Sequence, residues 1–291
     1  MKGRNLILFI TPAVIWGSTW FVIKFQLGVV DPLLSVCYRF AFAGLILLVY
    51  SKLRELNLQF SLRQHLFMAL QGALLFGCNY WLIYISEYYL TSGLVAIAFS
   101  TLVFMNIIFN SLLLRNPVRR KVIVGAMFGI AGTLLIFQEE LSGLSFEDET
   151  FVGLVFCLVG VLFASLGNIT SAFNQKGRLP VIQTNAFGML YGATLMLLIV
   201  VLSGKPVLID LSFAYLSSLA YLVIFGSIIA FSTYLTLIGR IGADKAAYVI
   251  VAVPVIALVI STIFESYLPS VYAIAGIFLI VIGNGLALRK K

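Results

Sequence analysis

Charge is scarce in this chain. Of its 291 residues only 10% are Asp, Glu, Lys or Arg, where a soluble globular domain carries about 25%. With 62% hydrophobic residues and a mean hydropathy of +1.09, the shortage excludes a fold whose main solvent is water. Histidine occurs once. His65 therefore supports neither His-pair nor Ser/His/Asp chemistry, and at the edge of an apolar run it reads as an interfacial residue. The three cysteines, Cys37, Cys78 and Cys157, lie inside apolar runs without metal-ligand spacing, which argues against a disulfide scaffold and a zinc site. No G-x-x-x-x-G-K-[ST] phosphate loop is present and no polar segment is long enough for a nucleotide-binding domain, so no cofactor is expected and ATP-driven work would need a partner. Asn168-Ile169-Thr170 matches a glycosylation acceptor but lies within an apolar run, beyond the reach of the glycosylating enzyme.

What is abundant is uninterrupted apolar sequence. A helix needs about 20 mostly apolar residues to cross a hydrocarbon core roughly 30 Å thick. Ten runs near that size occur, at 5–25, 32–51, 65–86, 91–114, 121–138, 151–173, 181–203, 212–237, 243–264 and 269–288. The first contains Trp16, Trp20 and Lys24 and has no small-residue cleavage pattern at its end, so it is expected to be a helix of the mature protein rather than a secretory signal. Outer-membrane strands would alternate over about ten residues, and these runs do not alternate. The expected fold class is all-α and integral to a membrane, with ten transmembrane helices.

The 19 basic and 11 acidic residues leave a net charge of +8. They occupy the short gaps between apolar runs, which makes them topology signals rather than a face for nucleic acid. Lys2, Arg4, Lys52, Arg54, Arg63, Arg115, Arg119, Arg120, Lys121, Lys176, Arg178, Arg240, Lys245, Arg289, Lys290 and Lys291 all fall in alternate gaps, and the opposite gaps receive Lys24 and Lys205. The positive-inside rule then places both termini in the cytoplasm and the chain, multi-pass, in the inner (plasma) membrane. The acidic stretch Glu139, Glu140, Glu147, Asp148 and Glu149 falls outside. It reads as a solvated linker, residues 142–150, between units of residues 1–141 and 151–291.

Those two units match each other. Leu179-Pro180-Val181 follows the pattern of Asp31-Pro32-Leu33, Gly44 falls opposite Gly192 at an offset of 148, Phe76-Gly77 opposite Phe225-Gly226 at 149, and Gly125 and Gly132 opposite Gly276 and Gly283 at 151. Five passes per unit is an odd number, so the second copy enters the bilayer from the other side. Inverted repeats are a hallmark of secondary transporters, with the substrate site near the midplane between the halves. The glycine series Gly125, Gly129, Gly132 and Gly276, Gly283, Gly285 permits close backbone approach, either within one chain or across a dimer.

Ala13-Val14-Ile15-Trp16-Gly17-Ser18-Thr19-Trp20-Phe21-Val22-Ile23-Lys24, Arg39-Phe40 with Ala43-Gly44, and Ile241-Gly242-Ala243-Asp244-Lys245-Ala246-Ala247-Tyr248 leading to Pro254-Val255-Ile256-Ala257 and Glu265 resemble the EamA-type transporters of the drug/metabolite transporter superfamily. The resemblance spans essentially the whole chain. It implies a five-plus-five inverted arrangement, a central cavity lined mainly by helices 1, 3, 4, 6, 8 and 9, and export of amino acids or other small metabolites. The first half departs from the pattern in having Val103 opposite Pro254, and Leu114-Arg115-Asn116 where the second half has Phe264-Glu265-Ser266.

Such a cavity recognises solutes with neutral polar groups and aromatics. The candidates are Trp16, Ser18 and Trp20 in the first run, Asn79, Tyr80 and Tyr84 in the third, Asn106 in the fourth, Asn168 in the sixth, Tyr234 in the eighth and Tyr248 in the ninth. The three asparagines are the most informative, because an unpartnered amide in hydrocarbon is costly and must face protein or water. Each can equally serve as an interhelical hydrogen bond. Arg39, about 12 Å into the second run at 1.5 Å per residue, is a possible contact for a substrate carboxylate. Its alternative is to snorkel or to pair with carbonyls. Lys245 is a second possible charged contact. Glu87 and Lys24, near the outer ends of their runs, are expected to meet water. Gly77, Gly226 and Pro254 are the expected weak points for bending.

No carboxylate is expected at the midplane to relay protons, so facilitated diffusion or exchange is the expected mode. The expected partners are a small-molecule substrate and the lipid bilayer, with no nucleic acid, and the chain is a monomer or homodimer. The alternative from another class is an integral-membrane enzyme acting on lipid or isoprenoid substrates, but the loops on the basic side carry only Glu55 and Asp244 as acids, too few for the clusters such enzymes use.

Overall fold

A computed structural model describes residues 3–90, 95, 98–136, 138, 149–264 and 270–288, with residues 20, 150, 257–264 and 288 described by their backbone alone. The helices follow the apolar runs. They are α1 (Gly3–Gln26), α2 (Pro32–Leu53), α3 (Leu62–Tyr89), α4 (Leu102–Leu114), α5 (Arg120–Ile136), α6 (Glu149–Lys176), α7 (Val181–Leu202), α8 (Phe213–Ile241), α9 (Tyr248–Phe264) and α10 (Val271–Leu288). No strand occurs among the described residues. Six of these helices, α1, α2, α3, α6, α7 and α8, are long and apolar enough to cross a membrane, and Ala98–Leu114 and Val271–Ala287 are shorter apolar helices.

Local chemistry sets several boundaries. Asp31 caps α2, its Oδ1 accepting from the Leu33 N–H at 2.9 Å with Pro32 at the first helical position, where a missing N–H costs nothing. Ser61 and Gln64 form a reciprocal capping box that starts α3 three residues earlier than the apolar run. Gly242 at φ +92° ends α8 before the single turn Ala243–Ala246, since an L side chain rarely adopts that φ, and Ala247 parts that turn from α9. Of the acidic stretch, Glu149 opens α6, while Glu139, Glu140, Glu147 and Asp148 lie outside the described residues, as does Glu265.

Packing reveals an inverted pseudo-twofold. The α5–α10 seam pairs Gly125 with the Gly283 carbonyl and Gly132 with the Gly276 carbonyl, where an added methyl would lie 2.6 and 2.5 Å from those oxygens. Numbers rise on one helix as they fall on the other, so equivalent helices of the two halves run antiparallel. The same relation recurs elsewhere: α2 packs on α7, α1 on α9 as α6 on α4, and α3 on α6 as α8 on α1. The small residues therefore serve contacts within the chain, except Gly285, which faces open space. Polar contacts join helix ends and loops at opposite ends of the bundle. Lys205 pairs with Asp31 at 2.6 Å on one face, and Arg240 donates to Asn5 at 3.3 Å on the other.

Two helices carry matching irregularities. Gly72–Cys78 in α3 and Leu222–Ile229 in α8 are π-helical, a geometry that frequently marks functional sites. They contain Gly77 and Gly226. Pro254 is buried inside α9 and Pro12 interrupts α1; each deletes one backbone donor and invites a kink.

Candidate functional site

Where the halves meet, six helices enclose a cavity. Trp16, Thr19 and Ile23 come from α1, and Leu75, Asn79, Tyr80 and Ile83 from α3. Leu102 comes from α4, with Phe99 one turn before it. Ala164 and Asn168 come from α6, Phe231 and Tyr234 from α8, and Ile250 and Val253 from α9. Space open to water amounts to about 50 Å³, room for a few water molecules at roughly 10–15 Å³ each.

The wall is an aromatic box held by sparse polar contacts. Trp16 stands edge-on to Phe231 and Tyr234 at centroid distances of 5.1 and 5.0 Å, the arrangement that suits ring quadrupoles. Its Nε1 donates to the Gly226 carbonyl at 3.2 Å, tying α1 to the π-helical segment of α8. Asn79 donates to the Gly160 carbonyl at 2.8 Å and Asn168 to the Tyr234 hydroxyl at 3.1 Å. The Asn168 Oδ1 has no partner and belongs to a side chain in the cavity wall, so it is an acceptor available to a bound solute.

Five of the expected site residues, Trp16, Asn79, Tyr80, Asn168 and Tyr234, thus meet around one space. Those others whose side chains are described do not line it. Ser18 bonds the Tyr221 hydroxyl at 2.6 Å. Asn106 donates to the Ala243 carbonyl at 3.2 Å and accepts from Ser165 at 2.7 Å, an interhelical tie. Tyr248 donates to the Val122 carbonyl, fastening α9 to α5. The side chain of Trp20 lies outside the described residues. Lys245 sits half-buried on the single turn between α8 and α9, where burial pushes the neighbouring Asp244 carboxyl above its ordinary value. Sequence reasoning missed Thr19, Ile23, Leu75 and Ile83, and also Phe231, Phe99, Leu102, Ala164, Ile250 and Val253. Helical spacing from Trp16 (i+3, i+7) and from Asn79 (i±4) was a signal able to find the first four.

Arg39 occupies a place behind this wall. It is fully buried, so it does not snorkel, and the acceptors it uses are side-chain oxygens rather than carbonyls. Nε donates to Ser227 Oγ at 2.9 Å and Nη1 reaches the Tyr84 hydroxyl at 3.5 Å. The guanidinium lies over the Tyr80 ring at 4.5 Å, an electrostatically favourable placement for a desolvated cation. Nη2 has no partner. Glu87 corrects another expectation: near the end of α3 it is buried, with Oε1 unpartnered, rather than wet. Among the described residues the ion pair is Lys205–Asp31, and neither buried charge belongs to it.

A bundle of antiparallel, duplicated apolar helices around an aromatic cavity is the architecture of a multi-pass membrane protein. The profile of the EamA-like transporter family matches residues 4–138 and again 151–289. The chain belongs to this family. It is 29% identical over 251 residues to the uncharacterized inner membrane transporter YedA of Escherichia coli (strain K12), covering 86% of this chain and 79% of that one. It is 24% identical to Protein PagO of Salmonella typhimurium over 98% of this chain and 93% of that one. With the uncharacterized transporter YoaV of Bacillus subtilis it shares 23% over 86% and 84%. A solved protein crystal structure at 19% identity superposes with a TM-score of 0.80 over 99% of this chain and 97% of that one, a likeness of fold.

Proposed function

We propose that the protein is a secondary transporter that exports amino acids or other small metabolites by alternating access. In this reading the inverted units, residues 1–141 and 151–291, rock about a midplane cavity, in the inner (plasma) membrane with both termini cytoplasmic. The observation that carries it is the aromatic cavity between the halves, flanked by the matching π-helical segments of α3 and α8. A π-helical turn has irregular hydrogen bonding and so offers a place to bend. Among the described residues the cavity lining holds no carboxylate or imidazole to act as acid or base, which favours carriage over catalysis. A small-molecule substrate and the bilayer are its partners, and it works as a monomer or homodimer.

Counterflow in proteoliposomes across a panel of amino acids and metabolites tests the reading, since exchange reports a carrier whatever its driving force. Exchange of at least one solute is expected, and none across a broad panel overturns the proposal. The mode is facilitated diffusion or exchange. Concentrative uptake that collapses with a protonophore counts against that mode. A cross-link joining the outer ends of α3 and α9 is expected to stop flux, and retained flux refutes the gating.

A further inference from the structure

We infer that Arg39 is the anion anchor of the substrate site, and that the solutes carried are small carboxylates with an apolar body. This rests on the transporter reading and names the substrate class within it. A guanidinium stays charged whatever its surroundings, and a buried charge calls for a counter-charge. Arg39 is fully buried, and no carboxylate among the described residues pairs with it. Its Nε and Nη1 are used, by Ser227 and Tyr84, which holds the plane of the group over Tyr80 and leaves Nη2, with two hydrogens, unpartnered.

That nitrogen lies behind the cavity wall, one layer from the cavity. A methyl added to Gly226 would lie 3.1 Å from Nη2 and 3.2 Å from Thr19 Cγ2, and Thr19 lines the cavity. Gly226, without a side chain, lets the guanidinium edge pack close to Thr19. A carboxylate brings both the counter-charge and an oxygen to accept a charge-assisted hydrogen bond from Nη2. The remainder of the solute then meets Trp16, Tyr80, Phe231 and Tyr234, which calls for an apolar body.

The duplication supplies an independent reason. At the offset of 148 that relates Gly44 to Gly192, Arg39 falls opposite Phe187, which packs edge-on against His65 at 4.9 Å. The fold is therefore built at this place without a cation in one half. The charge in the other half answers to something besides helix packing.

The purified full chain provides the test. Its melting temperature is followed with 3-phenylpropionate and hexanoate, each against the matching amide, and with leucine against leucinamide. Each acid is expected to bind at least tenfold tighter than its amide. Arg39→Phe, which copies the opposite half, is expected to erase the difference and Arg39→Lys to keep part of it. Arg39→Gln serves if the Phe variant is not monodisperse. Equal shifts for acid and amide, no shift with any acid, or a preference that survives both Arg39→Phe and Arg39→Gln overturns the inference. Exchange in vesicles separates the two readings. Acids that bind without exchanging leave the anchor standing and sink transport. Exchange of uncharged solutes, with acids neither binding nor exchanging, does the reverse.

Discussion

The π-helical segments of α3 and α8 occupy matching places in the two halves, yet they are sealed in different ways. In α3, Gly72 lies against Gly188 of α7, backbone to backbone, so that a methyl on Gly72 would run into the Gly188 carbonyl, and Gly77 lies against the end of Met196 and the Gly192 backbone. In α8, Gly226 faces the ends of two side chains, Arg39 and Thr19, and its carbonyl is held by Trp16. Backbone cannot retreat from an added atom, whereas the end of a long side chain can. The difference teaches that duplication preserved the irregular turn while the surroundings diverged, one copy becoming a fixed seam and the other a polar notch beside the cavity.

The largest expected effect breaks that comparison directly. Gly72→Ala should destabilise by at least the roughly 1–3 kcal/mol typical of overpacking, visible as lost monodisperse protein and a lower melting temperature in detergent. Gly226→Ala should fold nearly as well as the parent and instead disturb Arg39. Equal losses in the two variants would abolish the distinction. Next come the asparagines that tie each half to the cavity. Asn79→Leu and Asn168→Leu each remove one buried hydrogen bond, so each should lower stability by about 1 kcal/mol, read from unfolding in mixed micelles.

Helix starts sharpen the contrast further. Asp31 caps α2, whereas α7 begins after Pro180 with no side-chain cap. Asp31→Ala should therefore cost about 1 kcal/mol, and an Ala substitution at Pro180 would remove no cap. The smallest effect is Lys205→Ala. The pair with Asp31 is part exposed, at 41% and 27% for the two side chains, so its loss should fall within about 0–1 kcal/mol and fade as salt rises.

Much of the fold was legible because the bilayer imposes a simple rule: a backbone in hydrocarbon must satisfy its own hydrogen bonds over about 20 apolar residues. Ten runs, alternating basic gaps and paired glycines followed from that rule. The cavity was legible only in part. Trp16, Asn79 and Asn168 announced themselves by being polar or amphipathic inside apolar runs, but so did Asn106 and Tyr248, which tie helices together. Lipid and protein interior are equally apolar, so a membrane helix does not advertise which face turns inward. Arg39 carried the same ambiguity.

The amino-acid order alone determined how many apolar segments there are, which gaps are basic and that one unit was copied, since hydropathy, charge and repetition are properties of residues in line. Only the tertiary arrangement decided which asparagine meets a cavity, that Glu87 is shielded from water, and that Arg39 ends in an unpartnered nitrogen beside Gly226. Those outcomes depend on how helices far apart in the chain rotate about their own axes when packed. No single helix contains that information.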